Sequence, residues 1–402
     1  MDGKYVIRGG KVIMPDKTEA ADVVISGGKI EGLYPPGNAP APGYETLFAQ
    51  GLYVSAGFAD IHQHGGGGSD YMDGGEDAYR NAAWAHIRHG MTSVMPTLVA
   101  ASLEGTLCGV DGYVKAAKSG RIPCNLLGLH LEGPYLSPAQ AGAMKPENIR
   151  DFDPREYELI YRASGGRIKR WSAAPELKGA ERFAQFAAEY GITLSIAHSD
   201  ADFDTVVRAY EMGFRHVTHL YSGMSSVTRK GGFRRAGVVE AALYLDQMHV
   251  EIIADGCHLP PSLLKLIAKV KKPGTVALVT DAMRAAGQDV KTSYIGGRDD
   301  PQPAVIEDGV AKMQNREAFA GSIATPDRLI RTMSEAGIPL EEAVRMATVY
   351  PLRMMGVGET KGEIRAGYDA DLCLFDESIH IKKVILGGKI VYSENAAFQS
   401  AR

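Results

Sequence analysis

From residue 57 onward, short apolar runs alternate with helical patterns, and eight such runs can be traced before residue 281. They are Phe58–His62, Ser93–Leu98, Leu126–Leu131, Arg170–Ala174, Thr193–His198, His216–Leu220, Val250–Ala254 and Val276–Thr280. Asp77–Gly90, Phe183–Tyr190, Phe203–Met212 and Leu263–Val270 read as helices between them, from the spacing of their apolar residues. Eight strand–helix units predict an α/β fold, a (β/α)8 TIM-like barrel over residues 57–354, of the usual size of roughly 250 residues or more. Residues 284–320 show no clear helix and are expected to form a loop or hairpin excursion. Thr325–Ala336 reads as a helix with Pro326 in its first turn, and Glu341–Tyr350 as a late barrel helix stopped near Pro351.

The two ends of the chain have a different texture. Tyr5-Val6-Ile7, Val12-Ile13 and Ala21–Ile25 are short runs between glycine turns, as in antiparallel strands. The same texture returns in Asp371–Phe375, and Lys382–Leu386 and Lys389–Tyr392 flank Gly387-Gly388, a hairpin signal. Residues 1–56 and 355–402 are therefore expected to join in one small β-sandwich domain beside the barrel.

The ends of the barrel runs carry the chemistry. His62 and His64 are two residues apart, so a strand points both to one face. Glu132 follows the third run, His198 ends the fifth, His219 lies at the end of the sixth and Asp281 follows the eighth. The C-terminal strand ends are where such barrels place their active sites. Buried polar groups need partners, and this many at separate strand ends read as a metal site. Glu132, His198 and His219 can hold one divalent ion and leave a position for water. Asp281 is placed to accept the water proton and return it to a leaving nitrogen. His258, after the seventh run, is either a substrate contact or a plain loop histidine. Arg229, Lys230, Arg234 and Arg235 either bind a small anion such as a phosphoryl group or are a solvated loop.

Charge and cysteines narrow the class. Lys and Arg number 44 against 48 Asp and Glu, which disfavours extended nucleic-acid binding. Cys108, Cys124, Cys257 and Cys373 form no CxxC pair. The start, with acidic Asp2, lacks the apolar run of a signal peptide, and no stretch reaches the roughly 20 apolar residues of a membrane span. A cytoplasmic protein with reduced cysteines and no membrane partner is expected.

The motifs resemble those of the N-acetylglucosamine-6-phosphate deacetylases of the amidohydrolase superfamily. The resemblance is carried by Gly57-Phe58 with His62 and His64, Gly128–Pro134, Ala197-His198, Thr218–Tyr221, Ala254-Asp255-Gly256 with His258, and Leu278–Ala282. Ala320-Gly321-Ser322 with Thr325 and Asp327, and Ala347-Thr348 with Tyr350-Pro351, extend it over almost the whole chain. It implies a metal held by Glu132, His198 and His219, with Asp281 as general base and acid. It implies a second ion at His62 and His64, bridged through the glutamate, so one or two ions per subunit. Zn is the first choice, with Fe, Co or Mn as alternatives. It further implies a homodimer with phosphate contacts partly from the neighbouring subunit, and substrate contacts from His258, Tyr135, Ser222 and Gly223 and from one of Arg229, Arg234 and Arg235.

The substrate side departs from the family pattern. Ser222-Gly223 stands where the family has Asn-Ala, and Gly142-Ala143-Met144 ends in Met where the family tends to have His. Arg229–Gly237 replaces an Arg-x-Pro-Gly segment. Losing hydrogen-bonding residues alters discrimination between related polar ligands. The expected reaction is hydrolysis of the acetamide of N-acetylglucosamine-6-phosphate to the amino sugar phosphate and acetate. The alternatives are the galactosamine epimer, an unphosphorylated N-acyl amino sugar, another amidohydrolase substrate, or a non-enzymatic sugar-phosphate sensor or scaffold.

Overall fold

The computed structural model describes residues 3–40 and 42–394; residues 395–402 of the expected terminal domain, and Asp2, lie outside the described residues. The barrel strands are β1 (Phe58–Gln63), β2 (Met91–Leu98), β3 (Leu129–Glu132), β4 (Ile168–Ala173), β5 (Thr193–Ile196), β6 (Phe214–Val217), β7 (His249–Ile252) and β8 (Val276–Leu278). Each pairs in parallel with the next in sequence. The β8–β1 seam is closed by single contacts: the Asp281 N–H donates to the His62 carbonyl at 3.0 Å. Beside it the buried Asp60 carboxylate accepts the Thr280 N–H at 3.3 Å and the Gln63 side-chain amide at 2.9 Å.

Local chemistry sets the crossover helices. Phe203–Met212 starts at Asp202, whose carboxylate accepts the Thr205 N–H at 2.9 Å, and stops at Gly213 with φ 111°. Its bounds are those expected from sequence. Leu103–Ser119 is likewise capped by Ser102 and ended by left-handed Gly120. The apolar faces of these helices meet Trp171, Phe183, Tyr157 and other fully buried side chains in one continuous core.

Both chain ends enter one sheet. Its order runs Lys389–Ser393, Ile381–Leu386, Leu372–Phe375, Tyr53–Ala56, Tyr5–Ile13, Thr18–Ser26, Lys29–Tyr34, with Glu45–Phe48 beside Tyr5–Ile13. The join is antiparallel, with Leu374 opposite Val54. Buried Ile7, Val23, Val54, Leu372 and Ile385 form its own core.

One expected excursion gains detail and one expected helix is corrected. The 284–320 excursion contains a three-stranded antiparallel sheet, Thr292–Ile295, Gln302–Glu307 and Val310–Met313. The expected Glu341–Tyr350 helix divides into Leu340–Met346 and Val349–Met354, and Pro351 lies inside the second piece. Proline is tolerated there because the first turn of a helix has no internal acceptor for its N–H groups.

Candidate metal centre

Four predicted histidines converge on one predicted carboxylate at the C-terminal face of the barrel. Glu132 ends β3. Its Oε1 lies 2.8 Å from His219 Nε2 and 3.2 Å from His198 Nε2. Its Oε2 lies 3.3 Å from His64 Nε2 and 3.6 Å from His62 Nε2. Two groups of donor atoms result, His62–His64–Glu132 and Glu132–His198–His219, each with its atoms within 4.8 Å of one another. Asp281 Oδ1 completes the cluster at 3.0 Å from His64 Nε2 and 3.4 Å from His62 Nε2.

The outward nitrogens define what the inward ones can do. His62 Nδ1 faces Glu251 Oε2 at 3.1 Å, and His64 Nδ1 the Thr97 carbonyl at 3.1 Å. His198 Nδ1 faces the Gln140 carbonyl at 2.7 Å, and His219 Nδ1 the Ser222 carbonyl at 3.2 Å. All four partners only accept, so each Nδ1 carries a proton and donates it. In the neutral tautomer every Nε2 then aims a lone pair at carboxylate oxygens or at another Nε2, an arrangement that repels itself. A positive charge is needed between them. The protein groups show the same demand. Burial opposes charge on His62, yet Glu132, Glu251 and Asp281 push its pKa up to about 9. Burial likewise opposes ionisation of Glu132, yet His62 and the hydrogen bonds from His198 and His219 hold it well below the usual carboxylate range. A divalent cation supplies the charge while leaving each Nε2 as a ligand, so the donor set fits one or two such ions.

The backbone is strained at this point. His198, His219 and Asp281 have φ of 44°, 30° and 48°. Non-glycine residues rarely adopt this region, and it concentrates at functional sites. His198 is also hemmed in: a Cβ on Gly223, itself at φ 59°, would stand 2.7 Å from His198 Nδ1. An alanine at position 223 would therefore press on His198 in this chain.

The cluster opens into a cavity of about 250 Å³ lined by Met144, Ser222, Gly223, His258, Glu317 and Phe319 among others. His258 Nδ1 donates to Asp255 Oδ2 at 2.8 Å, leaving Nε2 for a ligand, and Phe319 packs 4.6 Å from its ring. Two sets of predicted residues do not line this cavity. Tyr135 does not line the cavity; its ring is fully buried among Phe152, Trp171 and Phe183, where aromatic packing outweighs any polar contact. Arg229, Arg234 and Arg235 lie on an exposed hairpin, Thr228–Lys230 with Phe233–Arg235, outside the cavity lining.

Sequence reading also passed over the layer beneath the cluster. Arg170 and Glu251 lie within runs read as apolar strands, and both are buried in the barrel interior as an ion pair. The signal was present: a charge at an inward position of a short apolar strand needs a partner there.

A model of the amidohydrolase family matches residues 53–391. The chain is 30% identical to an N-acetylglucosamine-6-phosphate deacetylase of Lysinibacillus sphaericus, covering 94% of this chain and 95% of that one. It is also 30% identical to an N-acetylgalactosamine-6-phosphate deacetylase of Shewanella sp. (strain ANA-3), covering 99% and 97%. A mutant N-acetyl-D-glucosamine-6-phosphate deacetylase of Mycobacterium smegmatis, in complex with N-acetyl-D-glucosamine-6-phosphate, superposes with a TM-score of 0.89 at 28% identity, covering 97% of this chain and 100% of that one. With a matching barrel and a Glu132-centred donor cluster at its mouth, the chain belongs to the amidohydrolase superfamily and, within it, to the N-acetylglucosamine-6-phosphate deacetylase family.

Proposed function

We propose that the chain hydrolyses the acetamide of a 6-phosphorylated N-acetyl amino sugar, N-acetylglucosamine-6-phosphate first, releasing the amino sugar phosphate and acetate. The carrying observation is Glu132 shared between two histidine pairs, with the Asp281 carboxylate against the same cluster and a cavity in front of it. Glu132, His198 and His219 would hold a divalent ion, Zn first and Fe, Co or Mn otherwise, which lowers the pKa of a water and polarises the amide carbonyl. His62 and His64 would hold a second through the other Glu132 oxygen.

The remaining steps fall to the chain's own groups. Burial would raise the Asp281 pKa, but His64 and His62 hold it below the ordinary value, so it stands ready as a base at neutral pH. It takes the water proton as the carbonyl is attacked and returns it to the nitrogen, because an amine anion leaves poorly. His258, fixed by Asp255, and Ser222 are the polar groups at hand for sugar hydroxyls.

No Lys or Arg lines the cavity among the described residues, so a substrate phosphate needs a cation from elsewhere. The exposed hairpin offers Arg229, Arg234 and Arg235 beside Phe233, which is 78% exposed. We therefore place one hairpin arginine at the cavity of a second copy in a homodimer, which would also cover an otherwise marginal two-stranded hairpin. A cytoplasmic location accords with four unpaired cysteines and with the absence, among the described residues, of any helix long and apolar enough to cross a membrane.

The galactosamine epimer is the second reading, favoured by Ser222-Gly223 at the cavity wall and by the Shewanella relative. The test is acetate release from both N-acetyl epimers, each with and without the 6-phosphate, with metal quantified on the same sample. The phosphorylated forms should show the higher kcat/KM. Equal rates with and without phosphate would refute the phosphate reading, and no acetate from any sugar at full metal loading would favour a sensor.

A further inference from the structure

The floor of the cluster is a buried hydrogen-bonded layer that no part of the proposed reaction uses. Arg170 of β4 and Glu251 of β7 form an ion pair inside the barrel through Arg170 Nη1 and Glu251 Oε1. The other Glu251 oxygen accepts from His62 Nδ1 at 3.1 Å. Arg170 also donates to the Ile61 carbonyl at 3.3 Å, Ser195 Oγ at 3.0 Å and Thr218 Oγ1 at 3.3 Å. Thr218 Oγ1 lies 2.8 Å from Ser172 Oγ, which lies 2.7 Å from His130 Nε2. His130 Nδ1 meets Thr97 Oγ1 at 3.0 Å, and the Thr97 carbonyl faces His64 Nδ1. One continuous network thus runs from behind His62 to behind His64.

Arg170 and Glu251 are each at most 1% exposed. A buried ion pair adds little stability over apolar residues of the same volume, which leaves its geometry to be explained. Glu251 Oε2 presents an acceptor that cannot donate to one ring nitrogen, His62 Nδ1, with the His219 backbone N–H on the same oxygen at a longer 3.4 Å, and Arg170 keeps it aimed.

We propose that Arg170 and Glu251 are positioning residues that hold His62 with its proton on Nδ1 and its Nε2 lone pair toward Glu132, and so set the affinity of the ion-binding pair His62/His64. This rests on the metal reading of the cluster. The rings of the other pair, His198 and His219, are anchored on loop carbonyls, and His219 meets Glu251 through its backbone N–H and not its ring, so that pair should change far less.

The full chain, stripped with chelator and titrated with Zn(II) at buffered free concentrations, tests this. The wild type should bind two ions. Glu251→Gln should weaken one of them about 10–100-fold, the usual cost of losing a partner behind a metal ligand, and leave the other in place. Should that variant fold poorly, the double variant Arg170→Met with Glu251→Met removes both charges and should give the same loss of a single ion. A 1H–15N correlation of histidine-labelled Zn(II)-loaded chain should show His62 protonated on Nδ1 in the wild type and a mixture of tautomers in Glu251→Gln. Equal weakening of both ions, unchanged binding, or a wild type that saturates at one ion overturns the proposal. A wild type that binds no Zn(II) overturns the metal reading itself.

Discussion

The two histidine pairs share one carboxylate but are held by different parts of the fold. His62 and His64 sit at the end of β1, at most 1% exposed, with their outer nitrogens on the Glu251 carboxylate and the Thr97 carbonyl. His198 and His219 sit past the ends of β5 and β6 in left-handed backbone, 7% and 3% exposed, with their outer nitrogens on loop carbonyls. The first pair belongs to the barrel floor, where His64 reaches the cavity wall and His62 does not, and both members of the second line the cavity at its rim. Sites on regular elements hold geometry more tightly than sites on loops. An ion on the floor would therefore depend on core packing and buried charge, whereas an ion at the rim would depend on loop backbone and stand nearer a substrate in the cavity.

The largest effect should come from removing what the two halves share. Glu132→Ala is expected to lose both ions and all measurable acetate release, which metal analysis and a turnover assay would check together. Retention of two ions would break the idea that Glu132 bridges the pairs. Asp281→Asn should lower kcat by about 10²–10⁴-fold, the range of general acid–base catalysis, while metal content stays near that of the wild type. Parallel loss of metal would make Asp281 a ligand instead of a base.

Gly223→Ala is the rim counterpart of the Glu251 variant. The new methyl would press on His198 Nδ1 at 2.7 Å. Overpacking costs about 1–3 kcal/mol, so the rim ion should weaken about 5–150-fold while the floor ion holds. If both variants weakened the same ion, the division into floor and rim would fail.

Protons should compete with metal most strongly on the floor. Although burial opposes it, the neighbouring carboxylates raise the His62 pKa to about 9 and put His64 well above its ordinary value. An incoming ion must displace the protons held by this pair, so affinity there should rise with pH over the range in which they are lost. Zn(II) titrations between pH 6 and 10 would show this, and a flat profile would contradict it. The smallest effect concerns the hairpin: Ala at the phosphate-contacting member of Arg229, Arg234 and Arg235 should raise KM about 10-fold, near 1.4 kcal/mol, with kcat nearly unchanged. Unchanged KM in all three variants would count against a hairpin phosphate contact.

Much of the barrel was legible in the chain because its strands are short apolar runs with one mode of pairing, and because the metal-site residues lie at or just after run ends. His62 and His64 share a face by strand periodicity alone, and Phe203–Met212 is delimited by its own Asp202 cap and Gly213 stop. Segments lacking a single period were harder. The three strands between Thr292 and Met313 and the break between Met346 and Val349 depend on neighbours that are distant in sequence. Tyr135 illustrates the limit for single residues: its motif places it next to Glu132, but three aromatic rings from other elements draw it into the core.

The sequence by itself determined the strand–helix alternation, the ligand types at the strand ends and the family. Those features are local or periodic, and each can be read from a few consecutive residues. Only the tertiary structure decided that one Glu132 oxygen serves each histidine pair, that Gly223 makes room for His198, and that Arg170 of β4 meets Glu251 of β7 beneath His62. These contacts join residues dozens of positions apart across a closed barrel, and their distances come from its curvature and packing, to which no local pattern is sensitive.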